Sequence, residues 1–327
     1  MPAVRLTDAP LTRTARSVRR PRVGFISFLN CRPIQWGLER SELLHRIDLV
    51  SRTPEQVSDR LVDGRLDLGP ITLVEYLRHI DELLLLPALA IGADGPVMSC
   101  AIVSGVPLTE LGGRDVALGS TSRTTTLLAR FLLEDRMGLR PRYFPCEPSV
   151  PAMLARGDAG VVIGDPALRA HFDAAEPAVR TPGAAPGAAA PGRGVGHGGV
   201  RQVHQVHDTA AMWREWTGLP MVFAVWAVRR EFAERHPAMV AYIHRELVAA
   251  RDHALREPAS VSADAAEGSS FTPDQLALYY RTLRYDLSAA ALDGMRHYQR
   301  LAARRGIVDG DRSPVFFTPD SPRRAER

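Results

Sequence analysis

Short apolar runs alternate with stretches of helical spacing over most of the chain, and turn or capping residues mark the junctions. Val23–Leu29 reads as a first strand, and Asn30-Cys31-Arg32-Pro33 turns it into a helix with the proline in its first turn. Asn30 thereby stands where the carboxyl end of a strand meets a helix start, a usual ligand position in open α/β sheets, although asparagine there can simply cap the helix. Ile47–Ser51 is a second strand, Thr53-Pro54-Glu55-Gln56 a capping box, and Gly64 closes the helix it opens. After a third strand, Leu66–Pro70, Thr72 and Glu75 repeat the capping pattern, which makes Glu75 a cap rather than an acid catalyst. Leu83–Ile91 and Val97–Ser104 follow as strands, with Ser99 inside the second, either paired to backbone or aimed into a cleft.

The pattern is densest at Val116–Leu133, V-A-L-G-S-T-S-R-T-T-T-L-L-A-R-F-L-L. A strand breaks at Gly119, hydroxyl residues cluster about Arg123, and an amphipathic helix follows. The first N–H groups of a helix lack intrahelical partners and the helix dipole places positive potential there, so this is a candidate carboxylate or phosphate site. The plainer alternative is that Ser120 or Thr121 caps the helix and the other hydroxyls face water. Farther on, Arg142–Cys146 and Ala159–Ile163 read as strands and Val150–Arg156 as a helix. Gly164-Asp165-Pro166 starts another helix, with Asp165 as its cap. Asp208–Trp216 is helical up to Gly218 and Pro220. Met221–Val228, M-V-F-A-V-W-A-V, is apolar throughout, the mark of a central strand buried on both faces. The remainder is helical over about 237–256, 273–282 and 289–305, the last two capped by Thr272 and Ser288.

Alternating strands and helices imply a mostly parallel sheet, and the late return of one very apolar strand implies two α/β lobes with a ligand between them. The expected layout is a disordered basic arm over 1–21, a discontinuous first lobe over 22–106 and 222–320, and a second lobe over 107–221. The Ala/Pro/Gly-rich stretch 177–205 within the second lobe reads as a disordered insertion.

Composition sharpens this picture by exclusion. The chain of 327 residues has a net charge of +4, and six of its arginines lie in the first 22 residues, so the folded body is nearly neutral and nothing calls for nucleic acid. All 41 basic residues are arginine. Without lysine, neither Schiff-base chemistry nor a Gly-Lys-Ser/Thr phosphate loop is possible. Cys31, Cys100 and Cys146 lack metal or redox spacing and suggest free thiols in a reducing compartment. Arg19-Arg20 before an apolar run and Cys31 imitates an export signal, but the run is too short and reads better as a buried strand. No membrane span is expected. His197, His204 and His207 do not have the spacing of a folded metal site, and neither metal nor cofactor is called for.

Six stretches, taken in order, are similar to one family: R-V-G-F-I-S-F-L-N-C-R-P (22–33), L-D-L-G-P-I-T-L-V-E-Y-L (66–77), D-G-P-V-M-S-C (94–100), L-G-S-T-S-R-T-T (118–125), V-I-G-D-P-A-L (162–168) and W-R-E-W-T-G-L-P-M-V-F-A-V-W (213–226). They resemble the chorismate dehydratases of the futalosine route to menaquinone. The resemblance implies a two-lobe α/β fold of the type II periplasmic-binding-protein kind in a cytoplasmic lyase. Its reaction converts chorismate to 3-[(1-carboxyvinyl)oxy]benzoate and water. The partner implied is that small dianionic substrate, with no nucleic acid and no membrane. Carried onto matching positions, Asn30 and Ser99 are the catalytic residues. Ser120, Thr121, Ser122, Arg123 and Thr124, with Gly164 and Asp165, would bind substrate. Arg32 departs from the family, which more often has an apolar residue there, and is expected to face solvent. Two alternatives share the fold. A 1,4-dihydroxy-6-naphthoate synthase would want an acid–base residue, for which His207 is the candidate; a solute-binding protein would need export. Thiamin-pyrimidine synthases of this fold need a lysine and are excluded.

Overall fold

A computed structural model describes residues 19–175, 203 and 205–319 of the chain. Most of the expected basic arm, nearly all of the expected insertion with His197 and His204, and the tail from 320 lie outside the described residues.

In chain order the elements are β1 (Arg22–Ile26), α1 (Arg32–Leu38), β2 (Asp48–Arg52), α2 (Pro54–Val62), β3 (Leu68–Thr72), α3 (Leu73–Arg78) and β4 (Leu83–Ala93). Then come β5 (Cys100–Ser104), β6 (Asp115–Gly119), α4 (Arg123–Arg130), β7 (Arg142–Cys146), α5 (Val150–Arg156), β8 (Ala159–Ile163) and α6 (Asp165–Ala175). The chain finishes with β9 (Gln205–Asp208), α7 (Thr209–Thr217), β10 (Met221–Arg229), α8 (Arg230–Arg235), α9 (Pro237–Arg256), α10 (Pro258–Ala266), α11 (Pro273–Thr282), β11 (Leu283–Arg284) and α12 (Ala289–Arg304).

Two sheets result, one six-stranded in the order β11-β4-β10-β3-β1-β2 and one five-stranded in the order β7-β6-β8-β5-β9. As its composition requires, β10 lies in the middle of the first sheet, with every residue from Met221 to Val228 buried. The expectation of mostly parallel sheets fails. Among the strands of the described residues only β1–β2, β1–β3, β6–β7 and β6–β8 pair in parallel. The returning β10 runs against both β3 and β4, and β5 runs against β8 and β9. Apolar content reveals burial on two faces but not strand direction.

The lobe boundary also moves. Because β5 pairs with β8 and β9, the chain has already left the first sheet before Cys100, not near Ser104. Strand β9 was invisible beside the low-complexity stretch, so the expected insertion ends earlier than residue 205. The central helix ends in a π-helical turn, Phe131–Arg136. Its Leu127, Leu128 and Phe131 join the large core of the first lobe, while Ala129 and Leu133 pack with Ile102, Val116 and Val161 of the second sheet. Helix α4 is thus clamped between the two sheets.

Candidate active site

After β1 the chain makes one 3₁₀ turn, Leu29–Cys31, before α1. Cys31 takes the cap position and no side chain caps α1, so Asn30 is not spent on capping. Its backbone carbonyl accepts a 2.9 Å bond from the Tyr285 hydroxyl. Its Oδ1 is buried without a hydrogen-bond partner among the described residues. An orphaned buried acceptor costs about 1–3 kcal/mol, and a ligand that brings a donor removes the cost.

Ser99 lies just before β5, not inside it. Residues 97–99 form a tight turn in which the Ser99 amide donates to the Val97 carbonyl at 2.7 Å. Ser99 is buried, and its Oγ accepts a 2.9 Å bond from the Tyr279 hydroxyl. Its carbonyl accepts from the Gly164 amide at 2.8 Å. Gly164 has φ +68°, and a Cβ there would fall 3.0 Å from the Phe28 ring. Glycine at this position lets the β8–α6 turn lie against the segment that carries Asn30. The segments bearing Asn30 and Ser99 therefore meet over Gly164 on one side. On the other side they are backed by tyrosines, with the rings of Tyr279 and Tyr280 5.4 Å apart.

These tyrosines were not foreseen. Tyr279, Tyr280 and Tyr285 are all buried, and burial pushes each hydroxyl above its ordinary range, so they are neutral donors and not bases. Tyr280 OH, like Asn30 Oδ1, is buried without a partner among the described residues. The available signal is the tyrosine pair on the helix over 273–282.

The helix-start anion site is largely occupied from within. The cap of α4 is Ser122, neither Ser120 nor Thr121; its Oγ accepts the Thr125 amide at 3.0 Å. The Arg123 amide donates to Glu55 Oε1 at 2.8 Å, and the Arg123 guanidinium pairs with Asp59 at 2.7 Å and with Glu75 at 3.6 Å. Thr124 Oγ1 accepts from the Val74 amide at 3.2 Å. Ser122, Arg123 and Thr124 thus fasten α4 in place: the two hydroxyls accept backbone amides, and Arg123 is held by carboxylates. Ser120 and the half-buried Thr121 form no side-chain hydrogen bond among the described residues and stay open to a ligand. Glu75 is not a cap: Thr72 makes no cap bond, and Glu75 pairs with Arg78 at 2.5 Å.

Asp165 is the first residue of α6 rather than its cap. Partial burial raises its carboxyl above the usual range, against the pull of the Leu29 amide. It lines a cavity of about 560 Å3 with Phe28, Leu29, Arg32, Asp264, Glu267 and Phe271. Neither Asn30 nor Ser99 lines that cavity. Arg32 does not face solvent freely; it is tied to Glu39 at 2.6 Å and to Asp264. With its one cation paired and three carboxylates on its wall, this hollow suits a dianion poorly. Among the described residues no cluster of His, Cys, Asp or Glu is arranged to hold a metal.

A family described as "Menaquinone biosynthesis" matches residues 21–304. A chorismate dehydratase of Thermus thermophilus is 31% identical over 211 residues, 64% of this chain and 70% of that protein. Among solved structures, a protein of Archaeoglobus fulgidus superimposes with a TM-score of 0.66 at 16% identity, over 88% of this chain and 98% of that one. A Candida albicans protein described as having the generic periplasmic binding protein fold gives a TM-score of 0.61 at 8% identity, over 92% and 98%. These two likenesses show the fold alone: two α/β lobes of the periplasmic-binding-protein kind.

Proposed function

The chain belongs to the menaquinone-biosynthesis family, and from that premise we propose that it is a chorismate dehydratase. As a carbon–oxygen lyase it would convert chorismate to 3-[(1-carboxyvinyl)oxy]benzoate and water on the futalosine route. What supports the site assignment is the pair of orphaned polar atoms, Asn30 Oδ1 and Tyr280 OH, together with the buried Ser99 hydroxyl that Tyr279 holds.

The ring hydrogen at C3 of chorismate is acidified through the conjugated ring carboxylate, so its removal gives a dienolate. Expulsion of the C4 hydroxyl then makes the ring aromatic, which supplies the driving force. The protein has to hold a dianion, stabilise charge growing on the ring carboxylate and keep bulk water out. Neutral donors do this in a buried site, each charge-assisted bond contributing about 1.5–3 kcal/mol. In our reading Ser99 donates to the substrate, and Asn30 orients the enolpyruvyl carboxylate and the departing hydroxyl. Thr121 and Ser120 contribute donors from the α4 side.

No protein group here is a convincing base. The tyrosines are held neutral, Glu75 is ion-paired, and Asp165 accepts the Leu29 amide on the wall of the carboxylate-lined cavity. The enolpyruvyl carboxylate of the substrate itself takes the C3 proton and returns it to the leaving hydroxyl, so that water departs. His207, the residue a naphthoate synthase would need, sits on edge strand β9 and bonds Gln205 at 3.0 Å. Cys31, Cys100 and Cys146 are buried and free, which supports a cytoplasmic setting. No helix among the described residues is long and apolar enough to cross a membrane.

The test is to incubate purified protein with chorismate and follow aromatic absorbance and product mass. One benzoate per chorismate consumed is expected. Chorismate bound but returned unchanged would make the chain a binding protein and overturn the reading.

A further inference from the structure

The turn that presents Ser99 is strained and is held from outside. Met98, its central residue, has φ +60°, one of two non-glycine residues in the left-handed region among those described. Such three-residue turns are rare because the side chain crowds its own backbone. The amides of Val97 and Met98 point away from the turn, and both donate to Asp208 Oδ2, at 2.8 and 2.6 Å. The other oxygen, Oδ1, accepts the amides of Ala210 and Ala211 at 2.9 Å each, capping α7. One carboxylate thus joins the start of a helix to a turn more than a hundred residues away in sequence.

We propose that Asp208 is the positioning residue for Ser99: it holds the Val97–Ser99 turn in the geometry that aims the serine hydroxyl at the substrate. The assignment rests on the place given to Ser99 in the proposed dehydration. Three restraints act on that serine. Asp208 fixes the amides that precede it, the Gly164 amide fixes its carbonyl, and Tyr279 fixes its oxygen. Only a side chain with two acceptor oxygens can serve the turn and the helix together. Asparagine keeps one acceptor, enough to cap α7, and turns an N–H2 group toward the turn amides. Burial raises the Asp208 carboxyl above its ordinary range against the pull of these four amides, as expected of a group sealed between two segments.

The experiment compares wild type, D208N, S99A, S99A/D208N and M98G/D208N by chorismate turnover and thermal unfolding. D208N should lower kcat about 100-fold, the scale on which small misplacements of a reacting group act. Its KM should stay within about threefold, since ground-state binding is left to other donors. S99A/D208N should be no slower than S99A, because Asp208 acts through the serine. Glycine adopts positive φ without strain, so M98G should restore about tenfold of the kcat lost in D208N. A slow S99A beside a full-speed D208N overturns the assignment of Asp208 alone. Full activity in S99A overturns the role of Ser99 and the assignment with it. A D208N penalty of equal size in both serine backgrounds, or no recovery in M98G/D208N, also overturns it. If D208N fails to fold, recovery of folded, active protein in M98G/D208N supports the proposal; failure of both to fold makes Asp208 purely architectural and overturns it.

Discussion

Glu55→Gln probes the contact that ties α2 to the clamped helix α4. Glu55 is 7% exposed; one carboxylate oxygen accepts the Arg123 amide, while the other is buried without a side-chain partner among the described residues. Burial pushes its carboxyl from 4.5 up to about 7, with the Arg123 amide and guanidinium opposing. A group that binds its proton more tightly folded than unfolded favours folding most below its unfolded pKa, and that advantage is lost as pH rises through the folded pKa. The window is therefore pH 4.5 to about 7. At about 1.4 kcal/mol per pH unit it corresponds to about 3 kcal/mol. Glutamine keeps the acceptor for the Arg123 amide and removes the titration. Urea unfolding of both proteins at pH 5, 6, 7 and 8 should show E55Q gaining on wild type as pH rises, by up to about 3 kcal/mol. A difference between the two proteins that does not move with pH would refute the reasoning.

Asn30→Ala should lower kcat by about 10²–10³, as expected for loss of a preorganised polar group that orients the enolpyruvyl carboxylate and the departing hydroxyl; near-normal turnover in a steady-state assay removes Asn30 from the mechanism. Asp165→Asn should leave turnover within about threefold of wild type, because no protein carboxylate is asked to act as base; loss of turnover with chorismate binding intact would give Asp165 that role. Gly164→Ala should destabilise the protein by about 1–2 kcal/mol from the left-handed backbone alone. A thermal midpoint equal to wild type would contradict the tight approach to Phe28. The thiols of Cys31 and Cys100, pushed up to about 12 by burial, should resist iodoacetamide at pH 8 until urea is added. Rapid labelling of the native protein would contradict that burial.

The legible parts of the sequence were those that local chemistry decides. The capping box at Thr53, the cap at Thr272, the helix over 237–256, and the burial of Met221–Val228 follow from spacing and composition, and the structure repeats them. What escaped were decisions made by distant residues. Direction of β10 is set by its neighbours β3 and β4, so a run of apolar residues cannot announce it. Ser99 looked like a strand residue because the strain at Met98 is held by Asp208, far along the chain. The hydroxyl cluster about Arg123 looked like an anion site because nothing nearby in sequence reveals that Glu55 and Asp59 fill it. Tyr279 and Tyr280 lie on a helix that the spacing does announce, but nothing in that spacing shows that their hydroxyls back the candidate site.

The central claim is that a buried set of neutral donors lets the substrate act as its own base. Chorismate whose enolpyruvyl carboxylate is converted to the carboxamide tests it most directly. Binding should persist with weakened affinity, and no aromatic product should form in a single-turnover reaction monitored by absorbance. Dehydration of the carboxamide at a rate near that of chorismate would contradict the claim and require a base supplied by the protein.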